Sequence, residues 1–145
     1  MDVFTTVVVG ADDSSTARQA VAAAVQIAKM SGGRLHIVTA YDPKSVHIDD
    51  LPAEFRLTAV HPADALLHSL SEIARREGIE PEVHPAAAAP VDAVVTVAEQ
   101  CGADLIVVGN KGMKGARRVL GSVPNSIAHE ANCSVLIVDT VGGGS

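Results

Sequence analysis

Aromatic residues are scarce in this 145-residue chain: Phe, Trp and Tyr together make up 2%, and tryptophan is absent. This scarcity argues against a platform of aromatic rings on which single-stranded nucleic acid stacks. Basic residues are also in the minority, since 11 Lys and Arg face 17 Asp and Glu and the formal net charge is −6. Unspecific binding to a phosphate backbone needs the opposite balance, so we expect no nucleic-acid partner.

Cysteines and long apolar runs are likewise few. The two cysteines, Cys101 and Cys133, stand in no paired motif, which is typical of a reducing compartment. No uncharged apolar run approaches the ~20 residues that cross a bilayer. Met1 and Asp2 precede a strand-like run instead of a signal peptide. We therefore expect a cytoplasmic protein without a membrane partner.

The composition is that of a folded domain, with 48% hydrophobic and 19% charged residues. A chain of this length suits one domain. We assign residues 1–140 to that domain and the glycine-rich residues 141–145 to a flexible tail.

Short β-branched runs alternate with longer alanine-rich stretches. Strands are predicted at residues 3–9, 35–40, 81–87, 105–108 and 135–138. Helices are predicted to begin at Ser14 or Ser15, at Pro62, at Pro90 and at about Val123, and the polar segment 41–60 is predicted to be a loop. Such alternation predicts right-handed crossovers and a Rossmann-like α/β fold, a five-stranded parallel sheet with helices on both faces.

The segment after the fourth predicted strand carries the clearest chemical signal. In open parallel sheets, ligands bind at the carboxyl ends of the strands. Here Gly109, Gly112 and Gly115 let backbone amides approach a ligand, and Gly121-Ser122 precedes a helix whose free N–H groups favour an anion. No acid occurs between Asp104 and Glu130. Four cations occur there and are candidate phosphate contacts: Lys111, Lys114, Arg117 and Arg118.

An anion-binding loop is one interpretation of this segment. In the other, the glycines are turn residues and the cations form a solvated helix face. The coincidence of glycines, a serine and cations directly after a buried strand favours the anion site.

The run Val107-Val108-Gly109-Asn110-Lys111-Gly112, continued by Gly121-Ser122-Val123, resembles the ATP-binding motif of universal stress proteins. The opening run 8–14 (VVGADDS) and the closing run 133–138 (CSVLIV) are similar to that family as well, so the resemblance spans the domain. It implies strand order 3-2-1-4-5 and a homodimer formed through the last strand. It also implies a stress-response sensor or regulator that binds an adenine nucleotide, with ATP, and possible Mg²⁺, as the expected cofactor.

The resemblance also assigns site residues. It places Asp12 at the ribose and adenine side, with Ala11 and Ala40 lining the base. Five residues are implied to surround the ribose and phosphates: Gly109, Gly112, Gly121, Ser122 and Val123. The family's usual spacing between its second and third motif glycines is one residue longer than the segment 113–120 found here. This difference requires a tighter loop or a different path at Gly115.

Three alternatives stay open. The chain is an AMP or cyclic AMP binder, a slow Mg²⁺-dependent ATPase that uses Asp12 or Asp13, or a partner-binding module with a vestigial pocket. No water-positioning acid is evident near the glycine loop, so we expect binding with little or no catalysis.

The six histidines are dispersed along the sequence. His61 and His68 share a predicted helix face but lack partner ligands, so we predict surface roles for them and no metal site. Cys101 is predicted to pack at a helix end and Cys133 at the entrance of a strand.

Overall fold

A computed structural model of the protein describes residues 4–12, 15–41, 62–110 and 122–139. Residues 42–60, most of the segment predicted as a loop, lie outside this range, as do Asp13, Ser14, His61 and the tail 141–145. Within the described range, strands and helices alternate in the following order: β1 (Thr6–Gly10), α1 (Ser15–Ser31), β2 (Arg34–Ala40), α2 (Pro62–Arg75), β3 (Glu82–Ala86), α3 (Pro90–Cys101), β4 (Leu105–Gly109), α4 (Ser122–Glu130) and β5 (Ser134–Val138).

The strands form one parallel sheet in the order β3-β2-β1-β4-β5. This arrangement confirms the α/β fold class and the order 3-2-1-4-5. β1 lies at the centre, where Val9 pairs with Ile37 of β2 and with Val107 of β4.

Both faces of the sheet are covered by helices. Val7 and Val9 pack with residues of α1 and α2 in a first core cluster, whereas Val8 packs with residues of α3 and α4 in a second. All three valines are 0% exposed. Two-sided burial explains why β1 is a continuous apolar run without polar alternation.

The predicted element boundaries agree with the structure to within a few residues, with one informative exception at β1. The strand predicted from residue 3 begins at Thr6, because Phe4 has φ 63, which is not an extended conformation. The helix α3 begins at Pro90 as predicted and ends at Cys101. The next residue, Gly102, has a φ of 66, the left-handed cap conformation that glycine adopts without strain.

None of the helices in the described ranges combines the length and the apolar character that crossing a membrane requires.

The turn before β4 is tied to the start of β1 by the carboxylate of Asp104. Its Oδ2 accepts hydrogen bonds from the Thr5 amide at 2.9 Å and the Thr5 hydroxyl at 3.1 Å, and its Oδ1 accepts one from the Thr6 amide at 3.0 Å. Burial opposes ionisation of Asp104, but these hydrogen bonds outweigh it, and the pKa of the carboxyl lies below its ordinary value. The ionised carboxylate therefore stabilises the folded state.

Replacing Asp104 should destabilise the protein in a pH-dependent way. We expect Asp104→Asn to lower the free energy of unfolding at neutral pH by about 1–3 kcal/mol, since the amide replaces a charged acceptor of three hydrogen bonds. Because the folded-state pKa is depressed, this contribution is present above the ordinary carboxyl pKa of 3.8 and is lost as the pH falls through the folded-state pKa. Urea unfolding across this range measures the difference between the variant and the wild type. Glu130→Gln is the control with no expected effect, and a difference that stayed constant down to low pH would contradict the assignment.

Candidate functional site

The carboxyl ends of β1 and β4 lie side by side at the point where the strand order reverses. Val9 pairs with Val107, so Ala11, two residues further on, lies level with Gly109. In a doubly wound sheet, the helices that follow the two central strands pack on opposite faces and leave a crevice at this point. Two of the predicted site residues, Ala11 and Gly109, therefore border the crevice.

Gly10 ends β1 at a place where there is no room for a side chain. A Cβ atom built on Gly10 would lie 2.7 Å from the Cγ2 atom of Val94, a buried residue of α3. The glycine thus lets α3 pack closely against the central strand just below the crevice.

Ala11 is held from the β2 side by two hydrogen bonds. Its amide donates to the carbonyl of Val38 at 3.0 Å, and its carbonyl accepts from the hydroxyl of buried Thr39 at 3.2 Å. Since Gly10 pairs with Val38, Ala40 lies level with Asp12. The structure therefore brings Ala11, Asp12 and Ala40 together on one edge of the sheet.

Asn110 holds the chain as it leaves β4. The residue is buried. Its backbone N–H donates to the carbonyl of Val138 at 3.0 Å, and its side-chain Nδ2 donates to Oδ1 of Asp139 at 3.0 Å. The start of the glycine-rich segment is thereby anchored to the end of β5.

The helix α4 begins at Ser122, after the carboxyl end of β4. The free N–H groups and the dipole of this helix present positive charge at the carboxyl ends of the strands. No acidic residue in its first turn offsets that charge. Val123 is half-buried and packs against the second core cluster, as does Ala40. These two predicted site residues therefore share one face of the sheet.

Six of the predicted site residues thus lie at the carboxyl edge: Ala11, Asp12, Ala40, Gly109, Ser122 and Val123. The other six lie outside the described residues: Gly112, Gly121, Lys111, Lys114, Arg117 and Arg118. Sequence reasoning missed the positioning roles of Thr39 and Asn110. A polar residue two positions after the apolar run 105–108 was a signal for Asn110, whereas Thr39 is ordinary for a strand.

As predicted, Cys101 lies at the end of a helix, where it is the last residue of α3, and Cys133 lies at the entrance of β5. Both are therefore at the end of the sheet opposite to the carboxyl ends of the strands. Both are free and half-buried, and burial raises the pKa of each thiol. The thiols are therefore protonated at neutral pH and weak as nucleophiles. A groove of about 270 Å³ lies beside Cys133, between α3 and the connection from α4 to β5, and so apart from the carboxyl edge.

The fold and this edge define a doubly wound α/β protein of the kind that binds ligands at the carboxyl ends of its strands. Residues 4–139 match the sequence model of the Universal stress protein family. The chain belongs to the universal stress protein family.

Relatives of known sequence agree with this membership. A universal stress protein of Mycobacterium tuberculosis (strain H37Rv) is 40% identical over 148 residues, which cover 97% of this chain and 99% of the relative. A putative universal stress protein of Staphylococcus aureus (strain USA300) is 30% identical over 144 residues, covering 97% of this chain and 87% of that protein.

Solved structures agree as well. A universal stress protein crystallised in complex with cAMP is 38% identical, with a TM-score of 0.77 over 95% of this chain and 98% of that one. The universal stress protein from Archaeoglobus fulgidus in complex with dAMP is 23% identical, with a TM-score of 0.70 over 96% of this chain and 100% of that one. The second likeness supports the fold alone.

Filling the space at Gly10 should destabilise the fold next to the crevice. We expect Gly10→Ala to lower the free energy of unfolding by about 1–3 kcal/mol, because the new methyl group overlaps Val94, a β-branched side chain with little freedom to move. In a protein that also carries Val94→Ala, the decrease in unfolding free energy caused by Gly10→Ala should be smaller by about 0.5–3 kcal/mol. Urea unfolding of the two single variants and the double variant measures this coupling. Equal costs in both backgrounds would show that contact with Val94 is not the reason for the glycine.

Proposed function

We propose that this protein binds an adenine nucleotide at the carboxyl edge of its sheet and acts as a cytoplasmic sensor or regulator in a stress response. The observation that carries the proposal is that Ala11, Ala40 and Gly109 all lie at the carboxyl ends of the neighbouring strands β1, β2 and β4, at the switch point of the sheet. The relative in complex with cAMP, at 38% identity, supports an adenine nucleotide as the ligand.

The base would lie against Ala11 and Ala40. The two residues are partly buried on opposite faces of the sheet, Ala11 against the first core cluster and Ala40 against the second. Their small side chains leave space for a flat ring where the chain segments after β1 and β2 leave the sheet. The exposed Asp12 lies level with Ala40, where its carboxylate can accept hydrogen bonds from ribose hydroxyl groups. Thr39 would act as a positioning residue, since its hydroxyl holds the carbonyl of Ala11.

The phosphates would lie toward Gly109, Ser122 and Val123. The start of α4 offers free N–H groups and the positive end of its dipole. We further propose that Gly112 and Gly121 give the loop close approach to ATP, and that its cations contact the phosphates: Lys111, Lys114, Arg117 and Arg118. These charges suit the polyphosphate of ATP with its Mg²⁺ ion, because the sequence between Asp104 and Glu130 has no acid to repel it.

Cyclic AMP is the second candidate ligand. It is the ligand of the solved relative at 38% identity. It carries one phosphate with a single negative charge, which a loop one residue shorter than the family's usual spacing can enclose more readily than a triphosphate.

A sensor role follows from binding without turnover. With no Asp or Glu between Asp104 and Glu130, the glycine-rich segment has no acid of its own to orient an attacking water. The occupied fraction would then be set by the nucleotide concentration and the dissociation constant alone.

Calorimetric titration with ATP, ADP, AMP and cyclic AMP tests the proposal, with GTP and cyclic GMP as controls for the base. We expect at least one adenine nucleotide to bind, to raise the unfolding free energy by about 2.7 kcal/mol at 100 times its dissociation constant, and to exceed its guanine counterpart in affinity. Asp12→Ala should weaken binding by about 10-fold, the loss of one to two hydrogen bonds. The control Glu130→Ala, at the far end of α4, should bind like the wild type. Failure of every adenine nucleotide to bind at millimolar concentration would refute the function.

We also propose that two copies of the chain pair through β5. This strand ends the sheet. After the exposed Ser134, its residues are all apolar yet not fully buried, and Leu136 is 38% exposed. Unpaired apolar edges are normally covered by another strand. The edge at β3 carries Glu82 and Pro85, residue types that discourage pairing. A two-fold symmetric contact at β5 would cover the apolar edge in both copies.

A charge at β5 should therefore separate the two copies. We expect the wild type to elute as a dimer and Leu136→Lys as a monomer, because two buried ammonium groups would face each other across the interface. Light scattering coupled to gel filtration measures the mass. Val83→Lys is the matched control, since Val83 is 44% exposed on the opposite edge strand and its variant should stay dimeric. A monomeric wild type, or a dimeric Leu136→Lys, would overturn this interface.

A further inference from the structure

Three metal-ligating side chains converge where β2 pairs with β3. His36 pairs with Glu82, and Val38 pairs with His84. Because side chains alternate along a strand, His36, Glu82 and His84 all project from the face that carries Val38, which is the face covered by α3. The histidines are dispersed along the sequence, yet the sheet brings two of them together across 48 residues.

The distances within this trio are short. The Nδ1 atom of His36 lies 3.0 Å from Nε2 of His84 and 3.0 Å from Oε2 of Glu82. One ligand atom from each residue lies within 4.8 Å of the other two. His36 is 4% exposed, His84 is half-buried, and the side chain of Glu82 is 73% exposed. The trio therefore has a rigid buried member and an open side toward solvent.

Hydrogen bonds alone do not satisfy this arrangement. The Nδ1 atom of an imidazole has either one proton or one lone pair in its ring plane. The Nδ1 atom of His36 can therefore make one well-directed hydrogen bond, either to His84 or to Glu82. The remaining one of these two residues then lies 3.0 Å from Nδ1 without a hydrogen bond to it. A single cation bonded to all three atoms satisfies them together.

We propose that His36, Glu82 and His84 form a binding site for a divalent transition-metal ion, with Zn²⁺ as the favoured ion. Two imidazoles and one carboxylate are a ligand set that zinc proteins use, whereas Mg²⁺ and Ca²⁺ prefer oxygen ligands. Tetrahedral zinc with Zn–N bonds of about 2.0–2.1 Å places its ligand atoms about 3.3 Å apart. The two measured distances of 3.0 Å are within a few tenths of an ångström of that value. Water would fill the fourth position on the exposed side of Glu82.

The site is separate from the proposed nucleotide site. His36 precedes Ala40 by four residues on β2, which places it about 13 Å back along the strand. An ion held there joins the edge strand β3 to β2 through side chains, in addition to the backbone ladder. Its effect would be to fasten β3 to the sheet.

Zinc titration of the nucleotide-free protein, in competition with a chromophoric chelator, tests the proposal. We expect one high-affinity Zn²⁺ per chain. We expect His84→Ala and Glu82→Gln, at positions exposed enough to tolerate substitution, to fold by circular dichroism. We expect His84→Ala to weaken zinc binding by at least about 100-fold. Loss of a residue that only hydrogen-bonds to a metal ligand weakens binding by up to about 100-fold, and loss of a direct ligand should weaken it at least as much. The matched control is His68→Ala, which removes an exposed histidine of α2 and should bind zinc like the wild type. Zinc should raise the melting temperature of the wild type and of this control, but not that of His84→Ala.

A spectroscopic arm separates this site from one built on the cysteines. Co²⁺ bound by His36, Glu82 and His84 should show the intense d–d bands of four-coordinate cobalt without thiolate charge-transfer bands. Thiolate bands would assign the metal to Cys101 or Cys133 and overturn the proposal. So would a wild type that binds no zinc, or a His84→Ala variant that binds it unchanged.

Discussion

The burial of β1 on both faces is the constraint on which the rest of the structure depends. Val7 and Val9 face one helical layer and Val8 the other, and none of them is exposed. Each buried valine contributes about 1.5–3 kcal/mol relative to an exposed one, so the run stabilises the central position of this strand in the sheet. With β1 central and every strand parallel, the chain segments that follow β1, β2 and β4 emerge at one edge.

At the carboxyl ends of these strands, small side chains and hydrogen-bonded backbone leave room for a ligand to approach the chain closely. Gly10 lets α3 pack against the end of β1. Thr39 holds the chain as it leaves β1, and Asn110 holds it as it leaves β4. The two outer strands differ in character: β3 carries polar residues and a proline, whereas β5 is apolar and half-exposed. One sheet thus presents a crevice at its carboxyl edge, a histidine pair beside one lateral strand and an uncovered apolar surface on the other.

Much of the fold was predictable because its signals are local. The prolines at the first turns of α2 and α3 and the glycines after the helices mark boundaries through their own backbone preferences. The prediction for β1 was too long, since Phe4 has an apolar side chain typical of a strand but a backbone that is not extended. For the site, the resemblance to the family supplied Ala11, Asp12 and Ala40, which lie at the carboxyl ends of the neighbouring strands β1 and β2.

Local patterns in the sequence are enough to predict which segments are strands and helices, which faces of them are buried and where the acid-free, glycine-rich segment lies. These features depend on the period of the backbone and on the polarity of neighbouring residues. The folded chain was needed to show that Asp104 binds Thr5 across 99 residues, that Thr39 holds Ala11 and that His36 contacts His84. Such contacts depend on the register between strands distant in sequence. That register is set by the packing of the whole sheet against its helices, which no local pattern records.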